Sequence, residues 1–329
     1  MNNTEPLRLL DVSHDYISDI CFDTEQSLIA VTAWDGSLSI YEYGNETEPV
    51  RLLQRIRHQY PLLSCCIIHI NNTTQFFVGT VQGEVLRALC EEDRFVSIEE
   101  NPAQLGIIRM LPWRSNCIIA GSWDGTILVL ECSEFSATIT AKKKLEGKIL
   151  SMDCNSNYLI LVLTGNKIEW CDLPLNRDGM GLLKRVDSPL KYQVRDIKLT
   201  PNSDGYVVSS IDGRVAVEYF EDSAKQFAFR CHRMNLTDVQ FVFPVDTLGF
   251  EPNSDILYTG GSDGCISGWN LTTKRKIKQF AKFDENSVVK IAVNEGYICV
   301  ATSDDSFKTN PTFSQDVDLQ PSSLYLIKL

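Results

Sequence analysis

The sequence predicts an all-β chain folded as a seven-bladed β-propeller closed by its N-terminal strand. Short apolar segments rich in Val, Ile and aromatic residues recur along all 329 residues, and helix-period patterns of useful length are nearly absent. A tight turn sits between two such segments seven times, at Trp34-Asp35-Gly36, Val81-Gln82-Gly83, Trp123-Asp124-Gly125, Thr164-Gly165-Asn166, Ile211-Asp212-Gly213, Ser262-Asp263-Gly264 and Ser303-Asp304-Asp305. The third residues of successive turns lie 41 to 51 positions apart. The mean of about 45 matches a four-stranded blade of the WD40 type.

Each blade follows from the same local logic. Asp-Gly suits the hairpin because Gly, or Asn, accepts the positive φ of the turn and Asp bonds its local backbone. Strands flank each turn, as 27–33 and 37–43 do around the first. A further strand precedes each hairpin, at 16–22, 62–68, 148–154, 193–199 and 287–293, and a more polar outer strand follows, as at 51–57 and 226–230. The seventh repeat ends at 323–329 with only three strands, while the apolar start at 7–12 belongs to no repeat. The N-terminal segment is therefore expected to supply the missing strand and hide the edges that an open sheet would expose. Residues 176–188 and 304–322 read as long loops rather than boundaries, so 1–329 reads as a single propeller domain.

Composition narrows the function. The chain is 43% hydrophobic and 22% charged, with 43 acidic against 31 basic residues and a net charge of −12. It can bury a core, and a chain-wide electrostatic grip on nucleic acid or anionic lipid is not expected, so any anion site must be local. The eleven cysteines are odd in number and form no C-x-x-C pair, which suggests a reducing cell interior and thiols used as small core fillers. No basic patch followed by an apolar stretch opens the chain, and no run of about 18 apolar residues occurs. A soluble intracellular protein is expected, with no direct contact to membrane or nucleic acid.

Enzyme signatures are scarce. There is no G-x-S-x-G elbow, P-loop, H-E-x-x-H or zinc spacing of Cys and His, and His14, His58, His69 and His232 fall in distant repeats. No catalytic residue, metal or cofactor is expected. The basic stretches Lys142-Lys143-Lys144 and Lys274-Arg275-Lys276 fall where outer strands meet solvent and read as charge-protected edges.

The repeats themselves are more informative, because equivalent positions face equivalent demands from the fold. The turns begin with Trp34, Val81, Trp123, Thr164, Ile211, Ser262 and Ser303, so the fold does not require tryptophan there. Two repeats depart together, and their indoles would stand near the mouth of the central channel, as binding anchors or as simple packing. Trp113, Trp170 and Trp269 lie inside strand patterns and are expected to pack in blades. The residue after each turn is Ser37, Glu84, Thr126, Lys167, Arg214, Cys265 or Ser306. Arg214 is thus one of two cations in that ring. Arg230 ends the outer strand of the same blade, so the two could converge on one anion or remain ordinary surface charges.

At this level the chain resembles a known family over nearly its whole length. The segments Asp15-Tyr16-Ile17-Ser18-Asp19-Ile20, Thr80-Val81-Gln82-Gly83-Glu84, Lys191-Tyr192-Gln193-Val194-Arg195-Asp196, Ser209-Ser210-Ile211-Asp212-Gly213-Arg214-Val215-Ala216-Val217-Glu218 and Phe227-Ala228-Phe229-Arg230-Cys231-His232-Arg233 resemble the spindle-assembly-checkpoint WD40 propellers, in their yeast form. A sister family, the messenger-RNA export propellers of the nuclear pore, is similar in the last two segments. Trp34-Asp35-Gly36-Ser37-Leu38 looks more like the checkpoint members. The general WD40 signature is weak here, since Gly-His pairs are missing and Trp269-Asn270 replaces a Trp-Asp ending.

The resemblance implies a non-enzymatic adaptor of the nucleus and kinetochore, monomeric before partner binding. Its partners would be the checkpoint kinase and its pseudokinase-like relative, each through a short helical GLEBS segment docked across the turn-bearing face. Trp34 and Trp123 match the aromatic contacts for that segment, and Arg195 matches the cation that meets its glutamates. The resemblance further implies recognition of phosphothreonine in Met-Glu-Leu-Thr repeats of the kinetochore scaffold, with Arg214 and Arg230 at the phosphate-holding positions. The export family would instead bind a nucleoporin GLEBS segment.

Overall fold

The computed structural model describes residues 5–23, 25–45, 49–71, 73–99, 102–175, 184–283, 285–308 and 319–329. They form seven four-stranded antiparallel sheets and one separate two-stranded hairpin. Blade one comprises Ile17–Asp23, Leu28–Ala33, Ser37–Tyr43 and Val50–Arg57. The innermost strands of blades two to seven are Leu62–Ile70, Ile107–Trp113, Ile149–Cys154, Val194–Leu199, Val245–Phe250 and Ser287–Asn294. Each touches its neighbours, and the seventh touches the first, so the ring is closed. In blade seven the outer strand is Leu7–Arg8, paired antiparallel with Ser323–Lys328. The N-terminal closure expected from the sequence is thus made, by a pairing of only two residues.

Six of the anticipated turns join the second and third strands of their blades directly, and the seventh, Ser303-Asp304-Asp305, opens the longer connection from Tyr297–Ser303 to Ser323–Lys328. Gly36, Gly83, Gly125, Gly213 and Gly264 take positive φ, and the fourth turn uses both Gly165 and Asn166 in that way. At Gly36 the demand is twofold. Its φ is +80°, and an added Cβ would fall 2.2 Å from the His58 carbonyl oxygen. Apolar cores lie between successive blades, one of them combining Leu38, Ile56, Leu62, Cys65, Phe76 and Val78 from blades one and two. Trp113 is buried in the core between blades three and four, Trp170 and Trp269 pack against the cores of later blades, and all eleven cysteines are free.

Two features depart from the sequence expectation. Part of the predicted loop at 176–188 is a strand, Lys184–Asp187, forming the outer edge of blade four. Its four residues are all exposed, so it lacks the alternation by which a strand is recognised. Residues 176–183 lie outside the described residues, as do 309–318 of the other predicted loop. The second departure is the hairpin Arg233–Leu236 with Val239–Val242, inserted between blades five and six.

Around the channel, every innermost strand shifts register near its start. In six blades the residue that follows the shift is polar, Asp19, Ser64, Arg109, Ser151, Thr247 and Lys290 in turn; in blade five the shift runs from Val194 to Ile197, and the polar residue, Asp196, lies within it. Several tie one blade to the next. Cys65 N donates to Asp19 (3.3 Å), Ser64 Oγ to the Ile107 carbonyl (2.7 Å), Ser151 Oγ to Asp196 (2.7 Å), Leu248 N to Asp196 (2.9 Å) and Ile291 N to Thr247 (3.1 Å). Arg109 spans the channel, 2.9 Å from Asp19 and 3.4 Å from Asp196, and Lys290 lies 3.1 Å from Asp19. Burial alone would raise the Asp196 pKa, but Arg109, then Lys198 and Lys290, hold it below the usual carboxylate range.

A second network fastens blades five and six. His232 is buried, at φ +49°. Its Nδ1 donates to the Asp263 carboxylate (2.8 Å), its Nε2 lies within hydrogen-bond distance of Thr259 Oγ1 (2.9 Å), and Trp269 Nε1 donates to the same Thr259 oxygen (3.1 Å).

Arg109→Leu removes the cation that bridges the two buried carboxylates Asp19 and Asp196 and should cost about 3–5 kcal/mol in denaturant unfolding. Asp196 has a depressed folded pKa, so its contribution to stability is present above the unfolded value and lost as pH falls through the folded one. Without Arg109 that loss should begin at higher pH, and an unchanged acid midpoint would contradict the bridge. His232→Ala should cost about 1–3 kcal/mol by orphaning Asp263 and Thr259, and a thermal shift within error would contradict its role in fastening the blades.

Candidate functional site

The channel mouth on the turn-bearing face is built from innermost-strand residues and turn residues. Tyr16, Ser18, Trp34, Leu63, Ile108, Arg109, Trp123, Leu150, Arg195, Asp246, Lys290 and Phe307 help to line one cavity of about 280 Å³. Three residues chosen from sequence, Trp34, Trp123 and Arg195, therefore meet in a single depression. Trp34 N donates to the Tyr16 carbonyl and Trp123 N to the Gly106 carbonyl, each at 2.9 Å, so the backbone of the adjoining strand entry fixes where both indoles emerge. Trp34 is 38% exposed, and Trp123 is half-buried. Trp123 lies against Gly106, where an added Cβ would fall 3.1 Å from the indole Cε3. The missing side chain at Gly106 leaves room for the ring beside the backbone.

Arg195 enters from blade five, with its Nε 3.6 Å from Asp246 and its side chain 30% exposed. Arg109, Arg195 and Lys290 face Asp196 and Asp246 around the cavity, three cations against two carboxylates. An acidic partner is accommodated without charge reversal, and the indoles supply flat apolar area at small entropic cost. The charged cluster forms the floor. Below it Arg109 and Lys290 also line a larger cavity, about 450 Å³, on the opposite face with Asn155, Pro201 and Pro252.

The other two residues singled out, Arg214 and Arg230, sit on the outer half of blade five at the same end. They are direct cross-strand partners, so their side chains lie on one face of the sheet. Arg230 is exposed. Arg214 is 43% exposed, and its Nε lies 2.8 Å from Asp212. Asp212 was not anticipated as a participant. Its side chain holds Arg214, and its carbonyl accepts from Arg233 (2.7 Å). Two like charges placed opposite each other are unfavourable unless an anion offsets them, and here one carboxylate does so in part.

The sequence reading missed the channel cluster, although a signal existed. Arg109 and Lys290 are lone charges within Ile107-Ile108-Arg109-Met110 and Val288-Val289-Lys290-Ile291, and they occupy one repeat position. It also passed over His232 as part of a motif, whereas its ring is wholly engaged in joining blades. Among the described residues, no group of three His, Cys, Asp or Glu side chains could hold a metal.

The arrangement recurs in known proteins. The family described as "WD domain, G-beta repeat" matches residues 5–42 and 225–270. A solved structure titled "Structure of U3-55K" shares the fold, with a TM-score of 0.72 over 98% of both chains and 11% identity. "Poly(A)+ RNA export protein" of Schizosaccharomyces pombe is 26% identical over 81% of this chain and 74% of its own. "Mitotic checkpoint protein bub-3" of Caenorhabditis elegans is 30% identical over 297 residues, covering 87% of this chain and 84% of that protein. With its seven blades and this extent of similarity, the chain belongs to the bub3 family of mitotic checkpoint WD40 propellers.

Proposed function

We propose that the protein is a spindle-assembly-checkpoint adaptor with two separate docking sites on its turn-bearing face. The single observation that carries this reading is the grouping of Trp34, Trp123 and Arg195 in one cavity, with the Arg214–Arg230 pair at the same end of the blade that supplies Arg195. The cavity takes the GLEBS segment of the checkpoint kinase or its pseudokinase-like relative. The indoles bury apolar side chains, and Arg195 meets a glutamate. The arginine pair takes phosphothreonine in a Met-Glu-Leu-Thr repeat of the kinetochore scaffold.

Charge makes the second site a switch. Phosphothreonine brings roughly −1.5 to −2 charges and three acceptor oxygens, whereas threonine brings none of that charge. Two guanidinium groups held side by side can share such an anion, which also relieves their mutual repulsion. A net charge of −12 over the whole chain disfavours nonspecific polyanions. A kinase acting on the scaffold would thereby bring the propeller, and the partner it carries, to the kinetochore. The nucleus and kinetochore are the proposed locations, and the free protein is proposed to be monomeric.

A second reading, an export adaptor for a nucleoporin GLEBS segment, draws on the similarity to the fission-yeast "Poly(A)+ RNA export protein". It uses the same indole cavity but gives the arginine pair no phosphopeptide.

Trp34→Ala with Trp123→Ala should abolish GLEBS-peptide binding in calorimetry while moving the melting temperature by only a few degrees, since neither indole is fully buried. Unfolding of that variant would instead make them packing residues. Arg214→Ala should cost about 1.5–3 kcal/mol of phosphopeptide binding, as for a lost hydrogen bond to a charged group, and leave binding of the unphosphorylated peptide unchanged. Equal loss for both peptides would contradict the assignment.

A further inference from the structure

Of the 12 prolines, only two follow a serine or threonine, at Ser188-Pro189 and Thr200-Pro201. The two hydroxyls are placed differently. Thr200 is buried, and its Oγ1 donates to Asp204 (2.7 Å) and accepts from the amides of Asp204 (3.2 Å) and Gly205 (3.0 Å), so it is committed to holding a turn. Ser188 is half-buried and directly follows the outer strand of blade four. Its Oγ accepts from the Leu190 amide (3.2 Å) and donates to no acceptor among the described residues. Pro189 and Lys191 are exposed. Ser188-Pro189-Leu190-Lys191 therefore offers a free hydroxyl proton, a proline next to it and a cation three positions on, the pattern that proline-directed serine/threonine kinases read. Proline has no amide hydrogen, so it suits a cleft that provides no acceptor there.

Asn166 of the fourth turn gathers this segment. Its carbonyl accepts from Ser188 N (2.8 Å), its Oδ1 accepts from Val194 N (3.3 Å), and its Nδ2 donates to the carbonyls of Lys191 (3.4 Å) and Tyr192 (3.2 Å). Ser188 thus stands on the turn-bearing face, and one residue ties it to the strand entry that carries Arg195. The preceding strand, Lys184–Asp187, is exposed at all four residues, and from 184 to 193 Leu190 alone is buried. A kinase approaching along this edge displaces little packed surface. Of the nearby cations, Lys167 pairs with Asp187 and Arg185 with Glu169. Lys191 rests over the Tyr192 ring at 5.6 Å and enters no ion pair among the described residues.

We propose that Ser188 is a phosphoacceptor for a proline-directed serine/threonine kinase, and that its phosphate weakens docking of an acidic segment in the cavity of Trp34, Trp123 and Arg195. The second half rests on the docking reading above. In the transfer, the Ser188 oxygen forms a bond to the γ-phosphorus of the kinase's ATP, the bond from that phosphorus to the ADP oxygen breaks, and the hydroxyl proton leaves through the kinase. The product carries roughly −1.5 to −2 charges. The cavity sets Arg109, Arg195 and Lys290 against Asp196 and Asp246, and the added charge on the same face outweighs that small cationic excess. Lys191 offsets it only in part. The interaction runs through solvent, so it is felt at low salt and screened at high salt. The indole contacts persist, which makes the effect a reduction of affinity rather than its loss.

The test treats the full-length protein with a purified cyclin-dependent kinase and Mg-ATP, locates phosphate by peptide mass spectrometry, and titrates the product with the GLEBS peptide. Phosphate should appear at Ser188 and not at Thr200. Lys191→Glu, a change at an exposed residue that leaves the acceptor in place, should slow incorporation about tenfold through loss of a charge contact with the kinase. The phosphorylated protein should bind the GLEBS peptide about threefold more weakly than the untreated protein at low salt, with the difference closing as salt is raised. Ser188→Ala, treated in the same way, should keep the untreated affinity. Absence of phosphate at Ser188 overturns the inference. Phosphate at Ser188 with unchanged affinity at low salt overturns its regulatory half and leaves the docking reading standing. A GLEBS peptide that does not bind even the untreated protein removes the docking reading and the regulatory half together, while the phosphate map decides the acceptor site independently.

Discussion

The propeller depends on a balance of charge at its centre. Seven strands converge on the channel, and each brings a polar residue to a corresponding position beside Ile, Leu, Val and Met of the blade cores. Buried charges are costly unless paired and further hydrogen-bonded. This ring meets the demand with two carboxylates, Asp19 and Asp196, against two cations, Arg109 and Lys290, while Ser64, Ser151 and Thr247 fill the remaining positions. Backbone amides of the next blade complete the carboxylates' hydrogen bonds. Arg109 in blade three reaches blades one and five and so ties three blades together across the channel.

That rigidity has consequences for binding. Arg109 and Lys290 are at once the buckle of the ring and the floor of the indole cavity, so the recognition surface is laid on a foundation that cannot relax around a poor ligand. Trp34 and Trp123 come from turns whose geometry is set by glycine, and their amides are bonded to the adjoining strand entries. Pre-ordered aromatic anchors lose little freedom on binding. Blade five carries an unusual share of the surface: Arg195 on its innermost strand, Arg214 and Arg230 on its outer pair, and the hairpin that follows it. Its outer edge is also joined to blade six through His232, Asp263, Thr259 and Trp269.

Most of the architecture was legible in the sequence because its signals are local. Glycine or asparagine at a positive φ marks a turn wherever it falls, and six such turns, with Ser303-Asp304-Asp305 at the same spacing, define the blades. Trp34 and Trp123 stood out because five other turns do without tryptophan. What escaped notice was non-local or lacked alternation. Lys184–Asp187 is polar on both faces and reads as loop. Nothing in the run around Arg109 names partners 90 and 87 residues away. The hairpin left a trace in the 51-residue interval between the fifth and sixth turns, the longest of the series, since a blade needs no such surplus. Arg233-Met234-Asn235-Leu236 and Val239-Gln240-Phe241 even alternate correctly, but a face turned to solvent rather than to a core follows from no sequence pattern.

The central claim is that one propeller holds a kinase-derived segment and a phosphorylated scaffold repeat at the same time. The most direct measurement is calorimetric titration of the protein, already saturated with a checkpoint-kinase GLEBS peptide, with Met-Glu-Leu-Thr peptide in phosphorylated and unphosphorylated forms. The account predicts one-to-one binding of the phosphorylated form alone, with the GLEBS peptide retained. Binding of neither form, or displacement of one peptide by the other, would contradict it.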